Sequence, residues 1–204
     1  MSQAGVQKAA TEHRKRSILD AALGCFAEHG VEGTTVQDIQ QRARCSVGSL
    51  YHHFGSKEGV AEALWLDAIG QFNGAMLEGL ERANSGASCV RSVVTSYCAW
   101  STANMDLARF LHARDIEFSP TAKQRQRELR DGYIRRVYEI FAPFVATGEI
   151  AELPLHAYVP LISGPIEAYV RRWLSGDAPS PEHVQHLFAD AAWNAVKGRD
   201  ESRG

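Results

Sequence analysis

No stretch of this 204-residue chain approaches the roughly 20 uninterrupted apolar residues that a membrane span requires. The N-terminus also lacks the apolar segment that forms the centre of a secretory signal peptide. We therefore expect a protein that remains in the cytoplasm and has no membrane partner.

Cysteine is scarce: only Cys25, Cys45, Cys89 and Cys98 occur, and no two of them form a C-x-x-C pair or a zinc-binding spacing. Free thiols are expected for such a chain. Cys45 stands between two short candidate helices, where a small apolar residue is favoured over a redox sensor.

Catalytic signatures are absent as well. The chain contains no G-x-S-x-G, no P-loop and no H-E-x-x-H. His183 and His186 lie three residues apart, but with no cysteine or acid nearby on the same helical face they are more typical of a surface or an interface than of a metal site. We expect neither an enzyme nor a metal or other cofactor.

The chain has no strong excess of charge of either sign. Its formal net charge is −2, which argues against a protein that coats nucleic acid by charge alone. The basic residues of the N-terminal part nevertheless cluster at Arg14–Arg16 and near Arg44. Such clusters suit a small footprint on a few phosphates, although from composition a solvated cluster at 14–16 is equally plausible.

The segment Thr34–Lys57, TTVQDIQQRARCSVGSLYHHFGSK, carries signals for two very short helices and the start of a third. Thr34 with Gln37 predicts a capping box for the first helix, and Ser46 and Ser56 predict the caps of the next two. Two short helices joined by a tight turn are typical of a helix-turn-helix. Helices of this length are marginal alone, so neighbouring helices must hold them.

The outward side of the second short helix has side chains that suit DNA. Val47, Gly48, Ser49 and His52 are small or polar enough to enter a major groove and meet base edges. Hydroxyl, imidazole and ammonium groups suited to phosphate oxygens follow. These groups belong to Tyr51, His53 and Lys57.

The motif S-V-G-S-L-Y-H-H-F-G-S-K-E, preceded by G-x-T-T-V-x-D-I at Gly33–Ile39, resembles the DNA-binding region of the tetracycline-repressor (TetR) family. The matching block runs from about Arg14 to Leu64, and the resemblance implies that Leu50 and Phe54 pack inward. The predicted DNA contacts are Arg14, Thr35, Arg44, Ser46, Val47, Gly48, Ser49, Tyr51, His52, His53 and Lys57.

Two departures from the family pattern concern this region. The turn usually reads A-G-V-S, but here Arg44 replaces the glycine, so a positive φ at that position costs about 1 kcal/mol. Val47 stands where a polar residue is common, which favours contact with a thymine methyl group over a hydrogen bond.

We expect an all-α fold of about nine helices. A three-helix DNA-binding domain is predicted over residues 11–58, and a larger helical domain for effector binding and dimerisation over residues 59–198, with the fourth helix linking the two from residue 57. The first helix is predicted from about Thr11 to His29, after a mobile arm and before a stop at Gly30. The final two helices are predicted over Leu155–Leu174 and Pro181–Val196.

Two features of the helical remainder leave alternatives open. The fourth helix carries Gly59, Gly70, Gly74 and Gly79, which either let another helix pack closely or soften the rod that links the domains; close packing is favoured. A later helix carries six Lys and Arg residues between positions 123 and 136, for which a solvated face is favoured over an anionic ligand or a second DNA contact.

The resemblance implies that the last two helices of each subunit form a homodimer. Small and apolar residues at helical spacing on both helices fit such an interface. The predicted interface residues are Ile166, Tyr169, Trp173, Val184, Leu187, Phe188, Ala191, Ala192 and Ala195.

The central helices are rich in aromatic residues, and Pro160 and Pro165 lie inside a helical stretch. Prolines remove N–H groups and kink helices, which favours a cavity for a small organic effector. Nearby Arg114 and Arg136 would accept a carboxylate-bearing aromatic as readily as a neutral hydrophobe. The predicted effector contacts are Tyr97, Trp100, Phe110, His112, Tyr133, Val137, Phe141, Tyr158 and Ile162.

These observations together predict a ligand-responsive, sequence-specific transcriptional regulator that binds a palindromic operator in double-stranded DNA. A repressor released by a small organic molecule is favoured. An architectural or effector-independent DNA-binding protein is the alternative.

Overall fold

The computed structural model of this protein describes residues 3–113 and 116–198, and within them it contains nine α-helices. They are α1 (Gln3–Gly33), α2 (Val36–Ala43), α3 (Val47–Phe54), α4 (Lys57–Glu81), α5 (Gly86–Ala103), α6 (Met105–His112), α7 (Pro120–Ala146), α8 (Leu155–Leu174) and α9 (Gln185–Val196). The only extended pairing in this part of the chain is a single antiparallel bridge between Ile150 and Lys197. The predicted all-α fold with about nine helices is confirmed.

The beginning of α1 differs from its prediction. The helix starts at Gln3 rather than Thr11, so residues 3–10 continue the helix instead of forming a mobile arm. The reason lies in Ala9 and Ala10, because alanine has the highest intrinsic helix propensity. Gly30 interrupts the helical geometry with φ 71° and ψ 170°, at the residue predicted to end it.

The C-terminal helices agree with prediction except at one point. The bounds of α8 are the predicted ones, and Gly176 follows it with a φ of 87°. The segment predicted as one last helix is instead a 3-10 turn, Pro181–His183, followed by α9. The break is at Val184, whose φ of −120° is incompatible with a continuous α-helix.

The chain folds into two compact units, and the helices α4 and α7 each run through one of the sequence boundaries between them. The first unit comprises Met1–Ala68 and Asp106–Arg125, and the second Ile69–Met105 and Gln126–Gly204. The predicted domain boundary after residue 58 remains a prediction.

The first unit contains the short helices α2 and α3 and the chain that supports them. Phe26 of α1 stacks on Phe110 with ring centroids 5.6 Å apart. Ser119, which precedes α7, hydrogen bonds to the carboxylate of Glu62 through both its N–H and its hydroxyl. The stacking on Phe26 holds α6, a helix of eight residues that is too short to persist alone.

The second unit is built on the packing of α5, α8 and α9 against one another. Tyr158 is buried beside Phe141, and its hydroxyl donates to the carbonyl of Ala151 (2.9 Å) and accepts from the N–H of Leu153 (3.1 Å). Its polar end therefore fastens the segment before α8 to the core.

The glycines of α4 divide into two classes. A Cβ at Gly59 would lie 2.0 Å from the carbonyl oxygen of Phe54, and one at Gly79 would lie 2.2 Å from Oγ of Ser96 on α5. Close approach therefore explains these two residues. A Cβ at Gly70 or Gly74 would meet no atom within 4 Å, so close packing does not explain them.

None of the helices that the structure describes is long and apolar enough to cross a membrane.

Candidate nucleic-acid interface

The helix α2 begins with a capping box formed by Thr35 and Asp38, rather than by Thr34 and Gln37 as predicted. The Thr35 hydroxyl accepts from the N–H of Asp38 (3.2 Å), and the Asp38 carboxylate accepts from the N–H of Thr35 (2.7 Å). The Thr35 hydroxyl also donates to the Asp38 carboxylate (2.7 Å), and this bond, followed by the one from the Thr35 N–H, holds the pKa of Asp38 below its usual range. Thr34 is instead buried, and its hydroxyl donates to the carbonyl of Gly30 (2.7 Å) near the end of α1.

The turn between α2 and α3 contains a strained, charged residue. Arg44 has φ 49° and ψ 44°, the left-handed conformation that favours glycine, as predicted. Its N–H bonds to the carbonyl of Gln41 (3.3 Å), while the buried Cys45 bonds to that of Gln40 (3.2 Å). The Arg44 side chain is exposed and makes no ion pair within the described residues, so its charge is available to a ligand.

The helix α3 has one buried residue and an exposed opposite face. Ser46 caps it by accepting from the N–H of Ser49 (3.1 Å), as predicted. Leu50 is fully buried, whereas Val47 and Tyr51 are 38% and 50% exposed. Exposed valine and tyrosine on so short a helix offer apolar and hydroxyl contacts to a partner.

Gly48, in the first turn of α3, has no internal reason to be a glycine. A Cβ there would meet no protein atom within 4 Å, and the residue is helical and exposed. Glycine inside a helix costs about 0.5–1 kcal/mol relative to alanine. The missing side chain leaves the backbone open to close approach by a partner from outside.

Cations surround this face. Lys57 donates to the carbonyl of Glu32 (3.2 Å), which fixes its ammonium group at the start of α4. Lys15 pairs with Glu12 (3.1 Å), and Arg16 pairs with both Asp20 and Asp67. The exposed guanidinium of Arg14 makes no ion pair within the part of the chain described, so of the three basic residues it is the best suited to a phosphate.

Two histidines, His52 and His53, lie in the last turn of α3. The rings of His52 and His53 lie edge to face with centroids 5.0 Å apart. His53 lines a groove of about 540 Å³ together with Lys15 and Arg16. Burial, and then the neighbouring charges of His52, Lys15 and Arg14, lower the pKa of His53 below that of an ordinary histidine. A phosphate placed here would oppose that shift.

The comparisons with known proteins agree with this geometry. Residues 18–64 match the family model for bacterial regulatory proteins of the tetR family. These residues carry the DNA-binding region of the tetR family. The match identifies the segment that contains α2 and α3 as the DNA-binding part of a transcriptional regulator.

Similar proteins of the tetR family include full-length relatives. The chain is 25% identical over 181 residues to the HTH-type transcriptional repressor AcnR of Corynebacterium diphtheriae, an alignment that covers 87% of this chain and 90% of that protein. It is 25% identical over 161 residues to the fatty acid metabolism regulator protein of Bacillus subtilis, covering 78% and 83% of the two chains.

One solved structure illustrates the common fold. The transcriptional regulator FadR of Bacillus subtilis, in complex with stearoyl-CoA, superposes with a TM-score of 0.76 at 22% identity, covering 89% of this chain and 98% of that one.

The predicted effector contacts are distributed over both units. Phe110 and His112 belong to the first unit, where Phe110 is buried against Phe26, and the other seven belong to the second. In the second unit, Phe72 makes edge-to-face contacts with Tyr97 and Trp100, at 4.9 and 5.2 Å between ring centroids. Burial raises the pKa of Tyr133 to about 12. Val137, Phe141, Tyr158 and Ile162 are buried too.

Phe72 was not among the predicted effector contacts. Its sequence position identifies it only as one member of the apolar stripe of α4, and nothing local indicates which rings it meets. Arg136 is already paired with Glu81 (2.8 Å) and Glu139 (2.9 Å) on the surface, and Arg114 lies outside the described residues. The support for a carboxylate-bearing effector is therefore weakened.

The predicted dimer residues separate into buried and exposed sets. Ile166 and Ala192 are 0% and 3% exposed inside the subunit, so they are part of its core rather than of a surface. Leu187 is 60% exposed, and Ala191 and Ala195 are exposed on the same helix. The remaining predicted residues are partly exposed, and they are Tyr169, Trp173, Val184 and Phe188.

The histidines weighed earlier as metal ligands are on separate elements, His183 in the 3-10 turn and His186 in α9. The residues that the structure describes contain no group of three or more histidine, cysteine or acidic side chains placed to hold a metal ion.

Proposed function

We propose that this protein is a repressor that reads its operator with the exposed face of α3. The observation that carries the proposal is the combination of a single buried residue, Leu50, with an opposite face that is exposed and includes the unexplained Gly48. Burying Leu50 alone uses only one side of this eight-residue helix. The opposite side is therefore free to enter the major groove.

The proposed contacts divide by chemistry. Val47, Ser49 and His52 lie where base edges would be read, and an apolar contact between Val47 and a thymine methyl is expected. The remaining groups are proposed to bind phosphate and orient the helix. They are Arg14, Thr35, Arg44, Ser46, Gly48, Tyr51, His53 and Lys57.

We also propose a homodimer that brings two copies of α3 to two half-sites. The support is the exposed apolar surface of α8 and α9, where Leu161 and Leu187 are 41% and 60% exposed and Tyr169 packs on Phe188 with ring centroids 5.3 Å apart. Two half-sites of a palindromic operator lie about 34–36 Å apart or a multiple of that distance. The second contact raises the affinity of a weakly binding short helix.

The effector is proposed to be a small organic molecule that is mainly apolar and binds in the second unit beside Phe72, Tyr97 and Trp100. The aromatic character of this cluster and the neutralised charge of Arg136 favour an apolar molecule over a carboxylate. The stearoyl-CoA in the FadR complex is a precedent for a long apolar group in this fold. We propose no catalytic role and a cytoplasmic location, as for other transcriptional regulators.

Selection of a random-sequence duplex pool with the wild-type protein tests the proposal. A two-fold symmetric site should be recovered, and footprinting on DNA flanking the protein's own gene should locate a natural copy. Changing Ser49 or His52 should alter the preferred sequence, while changing Tyr51 should weaken binding to all sequences and lower its salt dependence. Recovery of no preferred sequence would contradict the reading role of α3.

The effector is tested separately by thermal-shift screening with acyl thioesters, fatty acids and neutral aromatic compounds. A compound that raises the melting temperature and also releases DNA is the expected result. If no compound in a broad screen stabilises the protein, an effector-independent regulator is favoured instead.

A further inference from the structure

The guanidinium of Arg42, in the last turn of α2, lies directly on the backbone of α1. An ideal Cβ at Gly24 would be 2.5 Å from both Cζ and Nη2 of Arg42 and 2.7 Å from its Nε. These distances are too short for any side chain at position 24 while Arg42 stays in place. Gly24 is therefore a notch in α1 that the planar guanidinium fills.

A carboxylate holds the guanidinium in this notch. Nη1 of Arg42 donates to Oε1 of Glu28 at 2.7 Å, and residue 28 is one helical turn beyond residue 24 on the same face of α1. The pKa of Glu28 is lowered and that of Arg42 is raised, in each case mainly by this hydrogen bond. Both side chains are about half exposed, so geometry rather than burial defines the contact.

The contact is located where α2 most needs support. Only Ile39 is buried within α2, and the helix has eight residues. Two residues after Arg42 the chain enters the left-handed turn at Arg44, and α3 begins at Val47. The end of α2 therefore determines the direction in which α3 starts.

We propose that Arg42 is a positioning residue, seated on Gly24 and held by Glu28, that orients α2 and thereby α3 for DNA reading, and that it is not itself a phosphate contact. This inference rests on the proposed function of α3. The proposal explains why position 24 is a glycine. A glycine in the interior of α1 lowers helix stability, and here the space left by the absent side chain accommodates the Arg42 guanidinium.

The two possible roles of Arg42 predict opposite signs for one substitution. If Arg42 bound phosphate, Glu28→Gln would free its charge and remove a nearby negative charge, and DNA affinity would rise. If Arg42 positions α2, the same change loosens the clamp, and affinity for the selected operator should fall about five- to tenfold. The matched control is Glu32→Gln on the same helix, since the Glu32 carboxylate makes no ion pair within the described residues.

A second substitution changes no charge. The guanidinium is the far end of a flexible side chain, so Gly24→Ala should displace Arg42 without preventing folding. The melting temperature should stay the same or rise, because alanine is the better helix former, while operator affinity falls. The slope of log affinity against log salt should be unchanged, whereas loss of a phosphate contact would lower it by about 0.9.

Operator affinity, its salt slope and amide hydrogen exchange of α2 are measured for wild type and these three variants. Faster exchange in α2 with weaker binding and an unchanged slope is the expected result for Gly24→Ala and Glu28→Gln. Increased affinity for Glu28→Gln, or unaltered exchange and affinity for Gly24→Ala, overturns the proposal. If the wild type selects no DNA site, the proposed function fails, while exchange in the free protein still decides whether the clamp exists.

Discussion

Replacing Gly48 by alanine separates the needs of the free protein from those of the DNA complex. A methyl group at position 48 meets nothing within 4 Å in the free protein, so the helix gains about 0.5–1 kcal/mol in free energy of unfolding. For a chain of this size the melting temperature should rise by about 1–4 °C. The variant should thus be more stable than the wild type.

The same methyl group should weaken DNA binding. It projects into the space where the proposed interface brings the DNA backbone against α3, and overpacking of this kind costs about 1–3 kcal/mol. Operator affinity should therefore fall about 5- to 150-fold. Fluorescence anisotropy with the selected operator measures the affinity, and a thermal melt of the same sample measures the stability.

Gly132 in α7 provides the matched control. It is also exposed, helical and without a neighbour within 4 Å of an ideal Cβ, but it is remote in sequence from α3. Gly132→Ala should raise stability and leave operator affinity unchanged. The reasoning is refuted if Gly48→Ala stabilises the protein and binds the operator as tightly as the wild type, because the DNA would then not approach this part of α3.

Three further predictions concern other parts of the molecule. The pKa of His53 is lowered in the free protein, and a bound phosphate would raise it. Operator affinity should therefore increase as the pH falls through the higher pKa of the complex, and it should level off below the lower pKa of the free protein. In a pH series, His53→Gln should lose this dependence. Leu187→Asp should yield monomers in analytical ultracentrifugation with operator affinity reduced about 10²- to 10⁴-fold, and a persisting dimer would contradict the interface assignment. Joint replacement of Gly70 and Gly74 by alanine should stiffen α4, so the effector should release less DNA while operator affinity without effector is retained. An unaltered effector response would show that these glycines do not act as a hinge.

Local signals were sufficient for much of the DNA-binding region. Ser46 as a cap depends on interactions within a few residues, whereas Leu50 as the inward residue and Arg44 at a positive φ were expected from the family resemblance. Gly30 is also a local signal, because glycine adopts the positive φ found there at little cost.

Errors arose where two neighbours competed or where tertiary packing decided. Thr34 and Thr35 are equivalent as caps in sequence, and only the burial of Thr34 under the end of α1 assigns the cap to Thr35. Ile166 and Leu187 belong to helices with apolar residues on more than one side, so periodicity alone does not separate core from surface. The clamp between Arg42 and Gly24 joins residues 18 positions apart and leaves no local signal.

Arg44 places a limit on how this regulator can be made more robust. A glycine at that position would relieve the left-handed strain of about 1 kcal/mol and would be an obvious choice for an engineer who seeks thermal tolerance. It would also remove the Arg44 guanidinium, which makes no ion pair within the described residues and is proposed to bind phosphate. Variants selected for heat resistance alone should therefore acquire glycine at position 44 and bind the operator more weakly. A selection for useful variants must require repression and heat resistance together.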